Sequence, residues 1–113
     1  MEDTLDAAIL SKMNDRKQIK GCKIDGPLAM DNAISLEAAR HKGIESDVAG
    51  QADIILVPNI QVGNALIKSI TYYAGKDMAS AIMGAGAPVI MTSRTDSVRN
   101  KILSMALAAL IAK

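Results

Sequence analysis

Neither tryptophan nor phenylalanine occurs in this chain of 113 residues, and Tyr72 and Tyr73 are its only aromatic side chains. A core therefore has to be assembled from Ile, Leu, Val, Ala and Met. Aliphatic interiors of that kind suit strands buried between helix layers. The same lack removes the stacking platforms on which single-stranded nucleic acids are bound. No surplus of charge compensates: 13 basic residues against 12 acidic ones leave a formal net charge of +1, which draws neither nucleic acid nor a membrane surface. Cys22 stands alone, so no internal disulfide is expected, in keeping with a reducing cytoplasm. No apolar run approaches the ~20 residues of a membrane span, and Met1-Glu2-Asp3 lacks a signal-peptide pattern. With one histidine and one cysteine, no metal-ligand set and no nucleophile triad is proposed. These absences describe a soluble cytoplasmic protein without metal, membrane or nucleic-acid partners.

What is present is apolar and periodic. Half of the residues are hydrophobic, and the length suits one compact domain, read here as a single unit over residues 1–113. Leu5, Ala8, Ile9 and Met13 recur at helical spacing and predict a helix over 3–17. Ile19 to Ile24 is a short candidate strand leading into Asp25-Gly26-Pro27. An Ala-rich helix is expected over 32–42, with Gly43 as its stop. Asp53 to Val57 (DIILV) is continuously apolar and ends at Pro58, the pattern of a buried strand. A helix is expected over 62–74, and two further apolar runs, 80–83 and 89–92, flank Gly84-Ala85-Gly86-Ala87-Pro88. A last helix over 97–112 carries an apolar stripe of Val98, Ile102, Met105, Ala106, Ala109 and Leu110. Strands alternating with helices predict an α/β fold with a mainly parallel sheet flanked by helices. In such sheets ligands collect where strands give way to helices.

Two junctions carry weight for that reason, Pro58-Asn59 and Thr92-Ser93-Arg94, and the turn at Asp25-Gly26-Pro27-Leu28 is a further candidate segment. Thr92-Ser93-Arg94-Thr95-Asp96-Ser97 joins an apolar run to a helix start, where free N–H groups and a partial positive charge favour anions. Ser93 adds a hydroxyl donor and Arg94 a fork that matches phosphate oxygens. Ordinary capping by Thr95, Asp96 or Ser97 explains the same residues. Asp25-Gly26-Pro27-Leu28 reads either as a plain turn or as a loop that lets backbone and a carboxylate approach a ligand. Gly63 and Asn64 fall in the first turn of a helix, where glycine costs roughly 1 kcal/mol against Ala and needs a packing or ligand reason. Lys68, one turn on, is either an anion contact or a solvated lysine. Gly84-Ala85-Gly86 matches no phosphate-binding fingerprint.

Taken in order, these segments resemble the phosphate acetyl/butyryl transferase family, its butyryl branch most closely. The matching residues are Thr4-x-Asp6-Ala7-Ala8, Gln18-Ile19-x-Gly21, Asp25-Gly26-Pro27-Leu28-Ala29-x-Asp31-Asn32-Ala33, Glu45 through Gly50, Pro58-Asn59, Gly63-Asn64, Lys68 and Thr92-Ser93-Arg94. The resemblance covers almost the whole chain and identifies it with the C-terminal part of such an enzyme, the N-terminal portion being absent. It implies a fold related to the isocitrate and isopropylmalate dehydrogenases, a homodimer, and an active site in an interdomain cleft. The implied reaction converts acyl-CoA and inorganic phosphate to acyl phosphate and CoA, with coenzyme A as a substrate and no further cofactor.

On this resemblance Ser93 and Arg94 are expected to act on the transition state, with Asp96 as the nearest acid, and Asp25, Gly26, Gly63, Asn64 and Lys68 to bind substrate. Two positions depart from the family pattern. Asn100 stands where the acetyl branch carries a proposed thiol-deprotonating carboxylate, and Asn59 follows Pro58 where relatives often have Asp. Two other readings compete: a non-catalytic folding or dimerisation module, and a sister dehydrogenase on the same scaffold. The second lacks a dinucleotide fingerprint and an acidic metal cluster in these residues.

Overall fold

The computed structural model describes residues 1–112. It divides into two compact units, Met1–Pro58 and a second from Asn59 onward. The first holds α1 (Glu2–Asp15), α2 (Met30–Ile34) and α3 (Leu36–His41); the second holds α4 (Ile60–Lys68), which runs on as a π-helical turn (Ser69–Tyr73), and α5 (Val98–Ile111).

Among the described residues there is no strand; the one β-type pairing is an isolated antiparallel bridge between Ile82 and Val89. The expected mainly parallel sheet flanked by helices is thus absent, and with it the strands expected at 19–24, 53–57, 80–83 and 89–92. The physical reason is that an apolar run supplies only half of a strand. The other half is a neighbouring chain about 4.8 Å away to receive its backbone groups. Residues 54–57 have no such neighbour and lie open, with Ile54 85 % and Leu56 78 % exposed.

Elsewhere, helix side chains take over the ladder's work. In the first unit Asn14 donates to the carbonyls of Ile19 and Cys22 (both 3.0 Å) and accepts from the Ile24 N–H (3.0 Å), while Ser11 Oγ donates to the Ile24 carbonyl (3.3 Å). In the second unit Asn100 Oδ1 accepts from the Met78 N–H (3.2 Å) and Ser104 Oγ from the Ser80 N–H (3.0 Å). The register works because four helical residues rise about 6 Å and two extended residues about 6.7 Å. One side chain per helical turn therefore meets every second amide of segment 78–80.

These contacts decide which helix faces turn inward. In α1 the inward side is Ala7, Leu10, Ser11 and Asn14, whereas Leu5 and Ile9 are exposed. In α5 Asn100, Ser104 and Ala108 are buried, and the expected apolar stripe from Val98 to Leu110 is exposed throughout. Small residues let extended backbone approach closely. Consistently, the buried apolar residues are four alanines: Ala33, Ala39, Ala49 and Ala108. Gly50 shows how close the approach is. It has φ +84°, and a Cβ there would lie 2.5 Å from Leu36 Cα.

The helix expected over 32–42 is broken at Ser35, which is extended (φ −118°, ψ 115°) and caps α3 by accepting the Ala38 N–H at 3.3 Å. Asn59 caps α4 (Val62 N–H, 3.0 Å) and Ser97 caps α5 (Asn100 N–H, 3.1 Å), the usual use of these residue types. The end of α4 widens into its π turn where Ser69 and Thr71 hydroxyls donate back to the carbonyls of Ala65 (2.8 Å) and Ile67 (2.7 Å). Such back-bonding loosens a helix.

Two outcomes test this fold. Replacing Asn100 by Ala strands the Met78 N–H and should cost about 1–3 kcal/mol in urea unfolding. Ile102→Ala, on the exposed face, should cost less, the reverse of the usual ranking of apolar and polar truncations. In the first unit the hydrogen bond from Lys42 holds Asp31 below the 3.8 of a free aspartate, helped by the Asn32 N–H, and a hydrogen bond from Lys23 lowers Asp47 likewise. Both folded-state values lie below the unfolded ones, so this stabilisation is present above the unfolded value and is lost as pH falls through the lowered ones. Melting temperature should therefore drop between about pH 5 and pH 3, with a shallower slope in the Asp31→Asn, Asp47→Asn double variant.

Candidate active-site cleft

The second unit contains an open cleft of about 340 Å³, lined by Asn64, Ile67, Lys68, Met78, Ala79, Ser80, Met91, Ser93 and Asp96. That volume falls within the range of small-molecule sites. Its apolar wall is made by Ile67, Met78, Ala79 and Met91, and its polar groups come from α4, segment 78–80 and the loop before α5. Asn100 and Ser104 fix the wall by holding the Met78 and Ser80 amides. Asn100 thus has a structural role, since it is buried and its oxygen is occupied.

The loop before α5 turns tightly at Ser93–Asp96, closed by the Asp96 N–H donating to the Ser93 carbonyl at 3.2 Å. Asp96 Oδ2 accepts the Ser93 N–H at 2.7 Å. The Thr95 N–H points to Ser93 Oγ at 3.4 Å, and the Ser93 and Thr95 hydroxyls share a hydrogen bond of 3.1 Å. Three amides that an anion would recruit are thus engaged within the loop. Arg94 occupies the second position of the turn, is exposed, and forms no ion pair among the described residues.

Lys68 ends α4 at the π-helical turn, a feature often found at functional sites. Its ammonium lies 3.9 Å from Asp96 Oδ1 and 5.6 Å from the centre of the Tyr72 ring. The Asp96 side chain is only 7 % exposed. Lys68 and Asp96 are the one cation and the one acid among the lining residues, so the cleft is neutral and Arg94 beside it is the uncommitted positive charge.

Of the residues expected from sequence, the structure brings Asn64, Lys68, Ser93 and Asp96 together around this cleft, with Arg94 between the last two. Gly63 adjoins Asn64 in the first turns of α4, where its N–H bonds to the Asn59 carbonyl at 3.1 Å. Asp25 and Gly26 belong to the first unit. There Asp25 Oδ1 accepts the Gly26 N–H at 2.8 Å, and a Cβ on Gly26 would meet Ala7 Cβ at 3.1 Å, so packing against α1 accounts for this glycine. The Gly26–Pro27 peptide bond is cis.

Sequence reading missed the wall residues Met78 and Ser80 and the partnership of Thr95 with Ser93; only the two-residue spacing of the hydroxyls hinted at the latter. It also missed Asn32, a buried side chain whose Oδ1 has no hydrogen-bond partner among the described residues.

Residues 1–109 match the family described as phosphate acetyl/butaryl transferase. The phosphate butyryltransferase of Clostridium beijerinckii is 56 % identical over 112 residues, which is 99 % of this chain and 37 % of that protein. The phosphate acetyltransferase of Thermotoga maritima is 53 % identical over 112 residues, 99 % of this chain and 38 % of its own length. Among solved structures, a branched-chain phosphotransacylase from Enterococcus faecalis superposes with a TM-score of 0.76 at 36 % identity, covering 90 % of this chain and 39 % of that one. The chain thus spans little more than a third of the length of these relatives. A family match over nearly every residue and identities above one half lead to one conclusion: the chain belongs to the phosphate acetyl/butaryl transferase family.

Proposed function

We propose that this chain supplies part of the active site of a cytoplasmic phosphate acyltransferase that converts acyl-CoA and inorganic phosphate to acyl phosphate and CoA, with a butyryl-sized acyl group. In this reaction a phosphate oxygen bonds to the thioester carbonyl carbon, the C–S bond breaks, and CoA leaves as its thiolate. Coenzyme A enters as a substrate and no other cofactor is called for. The main demands are to hold two anions in line and to stabilise the developing oxyanion.

The observation that carries this reading is the Ser93–Asp96 turn beside Lys68. It sets a hydroxyl and an ammonium on one small cleft, with the exposed Arg94 in the same turn between Ser93 and Asp96, in a member of this family. Arg94 would grip phosphate oxygens in two parallel bonds, Ser93 Oγ would donate to the oxyanion, and Lys68 would balance charge. Gly63 and Asn64 would border the bound substrate. Asp96 is the acid nearest to the reacting groups. The exposed apolar face of α5 supports assembly, here proposed as a homodimer. No helix among the described residues is long and apolar enough to cross a membrane, which fits the proposed cytoplasmic location.

The test is a chimera in which this chain replaces the matching segment of the C. beijerinckii phosphate butyryltransferase. It should release CoA from butyryl-CoA only when phosphate is present; a folded but inactive chimera would leave the non-catalytic module as the better reading. In the active chimera Arg94→Lys keeps the charge and loses the fork. kcat/KM should fall on the order of 10²-fold, about 2.7 kcal/mol of transition-state stabilisation, with stability moved by under ~0.5 kcal/mol. An unchanged rate would reduce Arg94 to a solvated turn residue.

A further inference from the structure

Within that acyltransferase reading, on which this inference rests, we infer that Asp96 is a positioning residue that fixes Ser93 and Lys68 on the cleft. The carboxylate is almost wholly buried, and each of its oxygens already has a partner. Oδ2 receives the Ser93 N–H at 2.7 Å, and Oδ1 faces the Lys68 ammonium at 3.9 Å.

The arrangement is reciprocal. Asp96 returns its own N–H to the Ser93 carbonyl at 3.2 Å, so the Ser93 backbone is gripped through both its N–H and its C=O. The Ser93 hydroxyl is left as the adjustable group. It is tethered only to Thr95, by the 3.1 Å hydroxyl pair and the 3.4 Å contact from the Thr95 N–H. A fixed backbone carrying a hydroxyl held only by its neighbour Thr95 among the described residues suits hydrogen bonding to a charge that appears only in the transition state, because little reorganisation is then needed. The same carboxylate restrains Lys68, whose ammonium also lies 5.6 Å from the centre of the exposed Tyr72 ring. Asp96 thereby couples α4 to the loop before α5 across the cleft.

A general base and a positioning carboxylate differ in what their loss does. In the active chimera, Asp96→Asn should lower kcat about 10-fold and change the KM for phosphate less, with both limbs of the pH–rate profile in place. Adding Lys68→Met to Asp96→Asn should cost little beyond the more damaging single change, because the two act as a unit. A fall of about 10³-fold together with loss of one limb would assign proton transfer to Asp96 and overturn the inference. A rate equal to that of the parent would overturn it too.

A second readout needs no turnover. In the 15N-labelled full chain the Ser93 amide resonance should move in Asp96→Asn, and also in Lys68→Met, which disturbs Asp96 from the solvent-facing side and serves if the first variant unfolds. A Ser93 resonance unmoved in a folded variant contradicts the positioning role. If the chimera is inactive before any substitution, the acyltransferase reading has failed. The amide measurement then decides the Ser93–Asp96–Lys68 coupling by itself.

Discussion

Backbone amides that no strand can claim set the form of this chain. A buried N–H must be paired, and segments 19–24 and 78–80 have no ladder to join among the described residues. Asn14 and Asn100, each aided by a hydroxyl on the same helix face (Ser11 and Ser104), receive or supply those bonds instead. Because a side chain has to reach backbone, the inward faces carry small and polar residues at the points of contact. The bulky aliphatic stripes, which in most helices would face the core, are left outside.

The cleft follows from the same constraint. Pinning Met78 and Ser80 to α5 makes one wall, the Ser97 cap starts α5 at a defined residue, and the turn over 93–96 is then held close to Lys68 at the end of α4. The widening of α4 into a π turn immediately after Lys68 is caused by Ser69 and Thr71. Asn100 belongs to this scaffolding. Its oxygen, which holds the Met78 N–H, secures the wall of the cleft.

Much of this was legible in the sequence, and the remainder failed for identifiable reasons. Three long helices were readable from periodicity, and Asn59 and Ser97 had the side chains that caps require. The break at Ser35 was not, because an Ala-rich stretch favours helix locally and only the capping bond to Ala38 competes. Apolar runs such as Asp53–Val57 showed that residues dislike water. They did not show whether a pairing neighbour exists, which is a non-local fact. Hydrophobic spacing located the apolar faces of α1 and α5, and hydrogen bonding to extended backbone turned other residues of these helices inward. At the site, Ser93 and Arg94 were singled out by an apolar run followed by a helix start; the run forms no strand, and the two residues lie in the turn before α5. The pairing of Lys68 with Asp96 left no local trace, since the two are far apart in sequence and meet only when α4 and the loop before α5 pack.

The central claim is that the Ser93–Asp96 turn and Lys68 together receive a phosphate group. The most direct measurement is a titration of the 15N-labelled chain with inorganic phosphate, followed residue by residue in amide spectra. The account predicts saturable shifts concentrated at residues 92–97 and around Lys68, with those shifts weakened in Arg94→Lys. Shifts centred on the lysines of the first unit, or shifts that do not saturate and ignore Arg94, would contradict it.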